Sequence, residues 1–584
     1  MKPYGTLSYA VRPESRRGRP ECVWIVKGAK PVMYLNRLIA HTYGMRRDEC
    51  ELSDTLSNAH VLEMINHSFP LEVDSSASEI WAKRLGDVQH SRELRETLQI
   101  LAPAEPTKSF VGSLKEFQKL GLDFMLKTDG CCLLADEMGL GKGYTAVAYL
   151  ATAKEAFPTL IVAPLVVLKH WERELNRLLR IDNKPPIVKT IRSGKPADLR
   201  TPTLLSRGLP DVFLINYDLL AKRHEDLEQL PIQTVILDEV QALRNTGTQR
   251  YHGALELLGE GRIKHIMGLS GTPIHNNTGE LWSVANLIRP GMLGTWSEFL
   301  SQHCTVDWKG RAHAINPQGL YELLREDFLL RRRIVEVLSE MPPKLRLKEH
   351  IEADLELYKS ELAKIFVELD NRLQGAKTEF EKAAIQQQAV TQERQVAAMC
   401  KVEHVVKWVK ACMESEEPVV VYFHHHLIKE AFDRYLREFK PCTIIGGQSD
   451  LERDNEIQRF QHGESKLMLA SIRAGSLGIN LTASAIVIFA ELDWTPAIHK
   501  QAEGRLHRIG QDQRVLAYYL IADGTLDEIV ANVLVDKTEE ISALFGDIPE
   551  GENTPEAIRA FDALRQHPAF GAVPAVKESF GMVA

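Results

Sequence analysis

The 584-residue chain has no C-x-x-C pair: Cys22, Cys50, Cys131, Cys132, Cys304, Cys400, Cys412 and Cys442 are scattered, which argues against both a zinc site and a disulfide framework. Reduced structural thiols are expected. No apolar run approaches the roughly 20 residues of a bilayer span, and the N-terminus lacks the apolar core of a secretory signal, so an intracellular protein without a membrane partner is expected. An excess of positive charge is also missing. With 71 Lys+Arg against 79 Asp+Glu the net charge is −8, which excludes a generally sticky polycation. Hydrophobic residues at 44% and charged ones at 26% exclude a disordered chain, and the length calls for three or four domains.

The charge is unevenly spread. Residues 1–47 carry ten Lys or Arg (Lys2, Arg12, Arg16, Arg17, Arg19, Lys27, Lys30, Arg37, Arg46 and Arg47) against Glu14 and Glu21. A basic head on an acidic body is a candidate nucleic-acid contact, with a plain solvated surface as the alternative.

Short apolar runs at Thr159–Ala163, Val212–Ile215, Thr234–Leu237 and His265–Leu269 read as buried parallel strands. A second cluster holds Val419–Phe423, Leu467–Ala470 and Ala485–Phe489. Two such clusters predict an α/β chain with two doubly wound parallel-sheet lobes, the RecA-like layout that the resemblance given below implies, whose chemistry gathers beyond the carboxyl ends of the strands. Between them helical periodicity takes over, with Leu355, Tyr358, Leu362, Ile365 and Leu369 on one face and Pro342-Pro343 as the crossover. The predicted layout is a small N-terminal domain over 1–108, lobe 1 over 109–288, a helical insertion and linker over 289–412, lobe 2 over 413–546 and a tail over 547–584.

Four motifs carry chemistry. In Leu133-Leu-Ala-Asp-Glu-Met-Gly-Leu-Gly-Lys142, an apolar run leads into a glycine-rich turn that ends in lysine. That is the layout of a nucleotide-phosphate cradle formed by Asp136, Glu137, Met138, Gly139, Leu140, Gly141, Lys142 and Gly143, and it implies ATP and Mg2+. The second is Asp238-Glu239-Val-Gln241 at a strand end, where Asp238 can hold magnesium and Glu239 can orient or deprotonate an attacking water. In the third, Gly268 to Asn277, Ser270 and Thr272 are suited to relay the nucleotide state to bound DNA or the other lobe. The fourth pairs Ser471–Thr482 with Gln501–Gln511, where Arg505 and Arg508, three apart, would share a helix face and reach a γ-phosphate as arginine fingers.

With these motifs in this order, the chain resembles the Snf-type DNA translocases of helicase superfamily two, from about Leu114 to Lys537. Leu160–Leu165 with Trp171-Glu172, Asn216-Tyr217, Arg244-Asn245 and Glu280-Leu-Trp282 match as well. Phe489–Pro496 and His424-His425 look like the annealing-helicase, fork-remodelling branch; metal binding by the adjacent histidines is not expected, because neighbours on one segment make poor tetrahedral ligands. The resemblance implies a monomeric translocase on duplex or forked DNA in the cytoplasm or nucleoid of a bacterium, in a virus-infected cell, or in a eukaryotic nucleus. It implies an adenine-reading role for Gln118, a nucleotide contact at Gly478, a catalytic role for Gln241, and nucleic-acid contacts from Asn216, Tyr217, Ser270, Thr272, Ser471, Arg473, Ala474 and Asn480.

Two positions depart from the family pattern. Gln241 replaces a histidine often found there, a mild change. Gly143 removes the hydroxyl that would ligate magnesium, costs about 1 kcal/mol of helix propensity, and is not replaced by Thr145, which points to a different face. Water can fill the vacant ligand position. A weakened ATPase, a nucleotide-regulated DNA clamp and a strand-separating helicase are the three readings.

Overall fold

The structure is a computed structural model that describes residues 3–12, 21–38, 43–46, 48–192, 209–259, 261–274, 277–307, 310–476 and 478–534. His275, Asn276, Leu477, the chain beyond Leu534 and seven of the ten basic side chains at the head (those of Lys2, Arg16, Arg17, Arg19, Arg37, Arg46 and Arg47) lie outside the described residues. Two compact units emerge, one ending at Arg333 and the other starting at Ile334.

The first unit holds the N-terminal domain and the first predicted lobe. Five strands pair in the order Tyr43–Arg46, Glu49–Ser53, Glu21–Lys27, Gly5–Arg12, Leu71–Val73. Leu7, Trp24, Val26, Leu62, Ile65 and Trp81 close a core between this sheet and helices Leu56–Ser68 and Ser78–Leu98. The described basic side chains of the head are partly offset: Arg12 pairs with Glu51, Lys27 with Glu49 at 3.4 Å, and Lys30 lies over the Tyr4 ring.

Seven strands form the sheet of the first lobe, ordered Leu329–Leu330, Cys132–Leu134, His265–Leu269, Thr234–Asp238, Thr159–Val162, Val212–Ile215, Val188–Thr190, with every pairing parallel. The central strands are fully buried, as continuous apolar runs covered on both faces must be. The N-terminal domain is docked on this lobe through polar ties. Asn58 donates to Glu298 at 2.6 Å, and Asp327 receives Ser91 at 3.3 Å, Arg95 at 3.2 Å and Arg289 at 3.0 Å.

The second unit is built on six parallel strands ordered Leu345–Ile351, Leu516–Ala522, Ile486–Phe489, Val419–Phe423, Leu467–Ser471, Cys442–Ile444. Helices Leu355–Gly375 and Glu379–Glu414 form a hairpin. On the anticipated apolar face Tyr358 and Ile365 are buried, Leu362 and Leu369 half-buried and Leu355 exposed.

The expected helical insertion over 289–412 is corrected. Its first part belongs to the first unit and supplies edge strand Leu329–Leu330, while Leu345–Ile351 is the edge strand of the second sheet. That strand was missed because it alternates: Leu345, Leu347, Glu349 and Ile351 are buried and Lys348 and His350 exposed, the pattern of a half-covered edge rather than a buried run. Cys132–Leu134, Val188–Thr190 and Cys442–Ile444 were missed because three residues give too little pattern to read.

Asp327 is almost fully buried with cations from both the docked helix and its own lobe, so Asp327→Ala leaves Arg289 without its carboxylate partner, while Arg95 keeps only Glu326 at 2.9 Å. A loss on the order of 3 kcal/mol is expected. It should appear in chemical denaturation, with hydrogen exchange rising first along helix Ser78–Leu98.

Candidate functional site

In the first unit, strand Cys132–Leu134 runs into a loop and then into helix Lys142–Thr152, whose N-terminal N–H groups face the loop. Gly139 and Gly141 have φ of 91° and 79°, the left-handed region in which a side chain is strained. At Gly141 a Cβ would also stand 2.7 Å from Gln118 Nε2. Gln118 braces the turn, donating to Leu140 O at 3.0 Å and accepting from the Lys115 N–H at 3.0 Å. Lys142 Nζ donates to Asp136 O at 2.8 Å. Gly271 reaches the same place, since a Cβ there would lie 2.4 Å from Met138 and 3.2 Å from Lys142 Nζ. A backbone cradle with left-handed glycines, a helix N-terminus and a lysine fits a nucleotide's phosphates.

Asp238 ends the strand Thr234–Asp238, with Leu269 opposite it on the neighbouring strand. Burial and the adjacent Glu239 push its carboxyl up to about 6, while the Trp171 indole and Lys142 pull it back. Trp171 Nε1 donates to Asp238 Oδ2 at 2.7 Å. Glu239 sits at φ 53°, an uncommon conformation for a residue with a side chain. Its Oε2 accepts from Gln241 Nε2 at 2.5 Å, and the buried Gln241 Oε1 has no hydrogen-bond partner among the described residues. An orphaned acceptor beside an acidic pair fits a site completed by water, metal-bound water or nucleotide.

Gly143 faces the Trp171 ring, with a Cβ placed 3.6 Å from its Cη2 and Cζ2, an ordinary van der Waals contact. A Cβ can therefore be accommodated there. Thr145 is buried and its hydroxyl lies 3.4 Å from Gly141 O, so it does not replace the missing group.

Four expected DNA contacts are engaged or buried within the lobe. Tyr217 is buried and its hydroxyl donates to Asp238 O at 2.7 Å, which makes it a strut under the acidic pair. Ser270 has no exposed surface and its Oγ accepts from the Thr272 N–H at 3.0 Å; Thr272 is buried beside it. Ser270, without accessible surface, cannot touch a phosphate backbone, and Thr272 keeps little surface for such a contact. Asn216 is spent locally as the cap of helix Tyr217–Glu228, accepting from the Leu219 N–H at 2.9 Å.

In the second unit the expected shared helix face of Arg505 and Arg508 is also corrected. Helix Pro496–Glu503 ends before them, and both follow in turns. They converge by another route: Arg505 Nε donates to Ser476 O at 2.8 Å and Arg508 to Ile479 O at 3.3 Å, so both rest on the loop that carries Gly478 at φ 66°. Ser471 precedes the short helix Ile472–Gly475, where Arg473 is exposed and lies 3.7 Å from Asp493; Ala474 O accepts from Arg453, and Asn480 O from Gln461. The His425 ring lies 2.5 Å from Glu491, which also accepts from the backbone N–H groups of His424 and His425.

A SNF2-related domain matches residues 117–402, and a helicase conserved C-terminal domain matches residues 400–510. The chain belongs to the SNF2-related family. It is 30% identical over 438 residues to the SWI/SNF-related matrix-associated actin-dependent regulator of chromatin subfamily A-like protein 1 of Xenopus laevis, covering 73% of this chain and 43% of that one. The Drosophila melanogaster protein of the same name is 30% identical over 454 residues, covering 76% and 57%. The human DNA annealing helicase and endonuclease ZRANB3 is 30% identical over 450 residues, covering 73% and 40%. The SNF2-related chain thus spans about half the length of the curated relatives it matches. The likeness to the annealing-helicase branch read from Phe489–Pro496 and His424-His425 agrees with these relatives.

If Tyr217 is a strut, Tyr217→Phe should cost about 1–3 kcal/mol in urea denaturation by leaving the Asp238 carbonyl without this donor. Affinity for duplex DNA and its salt dependence should not change. A loss of DNA affinity at unaltered stability would restore the contact reading.

Proposed function

We propose that the chain is an ATP-driven, monomeric translocase on duplex DNA that remodels forked or branched DNA in repair, recombination or replication, in the compartment that holds the DNA. One observation carries this reading: the Gly139–Lys142 cradle, the Gln118 brace and the Asp238–Glu239 pair gather at the carboxyl end of one parallel sheet. ATP would supply the phosphoanhydride bond, and Mg2+ the positive charge that offsets its phosphate oxygens. Lys142 and the loop N–H groups would hold the phosphates, Gln118 would face the base, and Asp238 would hold the metal's water shell. Glu239, oriented by Gln241, would accept a proton from water. The family resemblance gives Arg505 and Arg508 the part of arginine fingers. The DNA annealing helicase among the relatives supports DNA remodelling as the task.

Gly143 favours a second reading, a nucleotide-regulated DNA clamp, because the residue after Lys142 has no hydroxyl for a magnesium ion. The deciding experiment is ATP hydrolysis by the purified chain, alone and with single-stranded, duplex and forked DNA, beside three variants. For the translocase, duplex or forked DNA stimulates turnover, Lys142→Ala abolishes it and Glu239→Gln lowers it by about 10²–10⁴-fold. Gly143→Thr, whose Cβ would make only ordinary contact with the Trp171 ring, raises it further. Turnover that appears only with threonine restored would establish the clamp; robust unwinding of long blunt duplexes without a fork preference would point to a strand-separating helicase.

A further inference from the structure

The residues that join the two units begin and end on buried charges next to the motifs. At the first end, Arg332 grips Asp136 of the phosphate loop with both arms, Nε to Oδ1 at 2.9 Å and a terminal nitrogen to Oδ2 at 2.5 Å. Its other terminal nitrogen donates to Phe117 O, one residue before Gln118, and its carbonyl accepts from the Glu137 N–H at 2.9 Å. The fit is tight: a Cβ on Gly121 would stand 2.9 Å from the guanidinium. Arg331 donates to Ala135 O at 3.1 Å and lies 3.5 Å from Gly271 O, so it meets both the phosphate loop and the Ser270–Thr272 segment.

At the other end, Glu503 is completely buried and receives Arg346 through two bonds of 2.7 Å, Lys344 at 2.9 Å and the Tyr519 hydroxyl at 2.6 Å. Burial alone would raise this carboxyl, but Arg346 and Lys344 outweigh it and hold it well below the usual carboxylate range. Glu503 ends the helix that leads into Arg505 and Arg508, and His507 Nε2 lies 2.9 Å from Pro342 O. Residues 333–343 are therefore bounded by an anchor on the phosphate loop and an anchor on the arginine-bearing turn.

We propose that Arg332 and the Arg346–Glu503 pair are positioning residues that make residues 333–343 a mechanical strap, transmitting the state of the phosphate loop to the arginine-bearing turn of the second unit. This rests on the nucleotide reading of the loop. A paired arginine in a fixed fork transmits displacement better than a single ammonium contact, since two parallel bonds fix orientation as well as distance. Two sites coupled through a strap each change the other's affinity by the same factor.

The test measures affinity for a fluorescent duplex, with and without saturating non-hydrolysable ATP analogue, in the unaltered chain, Arg332→Lys, Arg346→Lys and the double variant. A fluorescent ATP analogue reports nucleotide affinity separately, and thermal melting reports folding. In the unaltered chain nucleotide should change DNA affinity by about 5-fold or more. Each single variant should bring that ratio to within about 2-fold of one, with nucleotide affinity within about 3-fold and melting retained, and the double variant should resemble the singles. Independent, multiplying effects, or an unchanged ratio in the variants, would overturn the strap while leaving the nucleotide site standing. Failure of the unaltered chain to bind the analogue would overturn the nucleotide reading and the strap with it. If a lysine variant melts early, Gly121→Ala, which crowds the Arg332 guanidinium from outside the strap, takes its place with the same criteria.

Discussion

The register of strand Thr234–Asp238 between its two parallel neighbours decides where the chemistry of the first unit can stand. Parallel pairing with Thr159–Val162 and His265–Leu269 sets Asp238 opposite Leu269, so the acidic pair and the Ser270–Thr272 segment leave the sheet at the same level. Strand Cys132–Leu134, paired to His265–Leu269 in the same sense, delivers the phosphate loop beside them. Parallel strands with continuous apolar sequence must be covered on both faces, which leaves only their ends open to solvent and ligand. A one-residue slip would turn Asp238 to the other face and separate it from Trp171.

Charge burial is the second constraint. Asp136 with Arg332, Asp327 with Arg95 and Arg289, and Glu503 with Arg346 and Lys344 are all carboxylates with almost no exposed surface, each satisfied by cations. Such groups add little net stability over apolar packing, yet removal of one partner is costly, so they hold a single geometry. Two of them adjoin nucleotide-site motifs. Trp171 combines both constraints, since one ring packs against Gly143 and, through its N–H, steadies Asp238.

Reading function from the sequence worked best where residue type and chemistry are tied together. The glycine-rich turn ending in Lys142 and the Asp238–Glu239 pair stand at the carboxyl ends of strands Cys132–Leu134 and Thr234–Asp238, where strand-end logic put them, and the central strands were legible as apolar runs. It failed where a polar side chain has two possible partners. Tyr217, Ser270 and Thr272 look like contact residues in a linear motif, yet their hydroxyls or side chains are buried and used within the lobe. Arg505 and Arg508 looked like one helix face because the helix end at Glu503, followed by Gly504, leaves little trace in the periodicity. The edge strand Leu345–Ile351 was hidden by alternation with charge.

The sequence by itself determined the SNF2-related family, two parallel-sheet lobes, the phosphate turn and the missing hydroxyl at Gly143. These depend on local residue type and order, which survive any change of packing. Only the tertiary structure decided that the N-terminal domain docks through Asn58 and Asp327, that Trp171 reaches both Gly143 and Asp238, that Arg332 grips Asp136 and that Arg346 pairs with Glu503. Those pairings join residues far apart in the chain. Their partners are selected by complementary charge and by space left at glycines such as Gly121, neither of which leaves a periodic signal in the sequence.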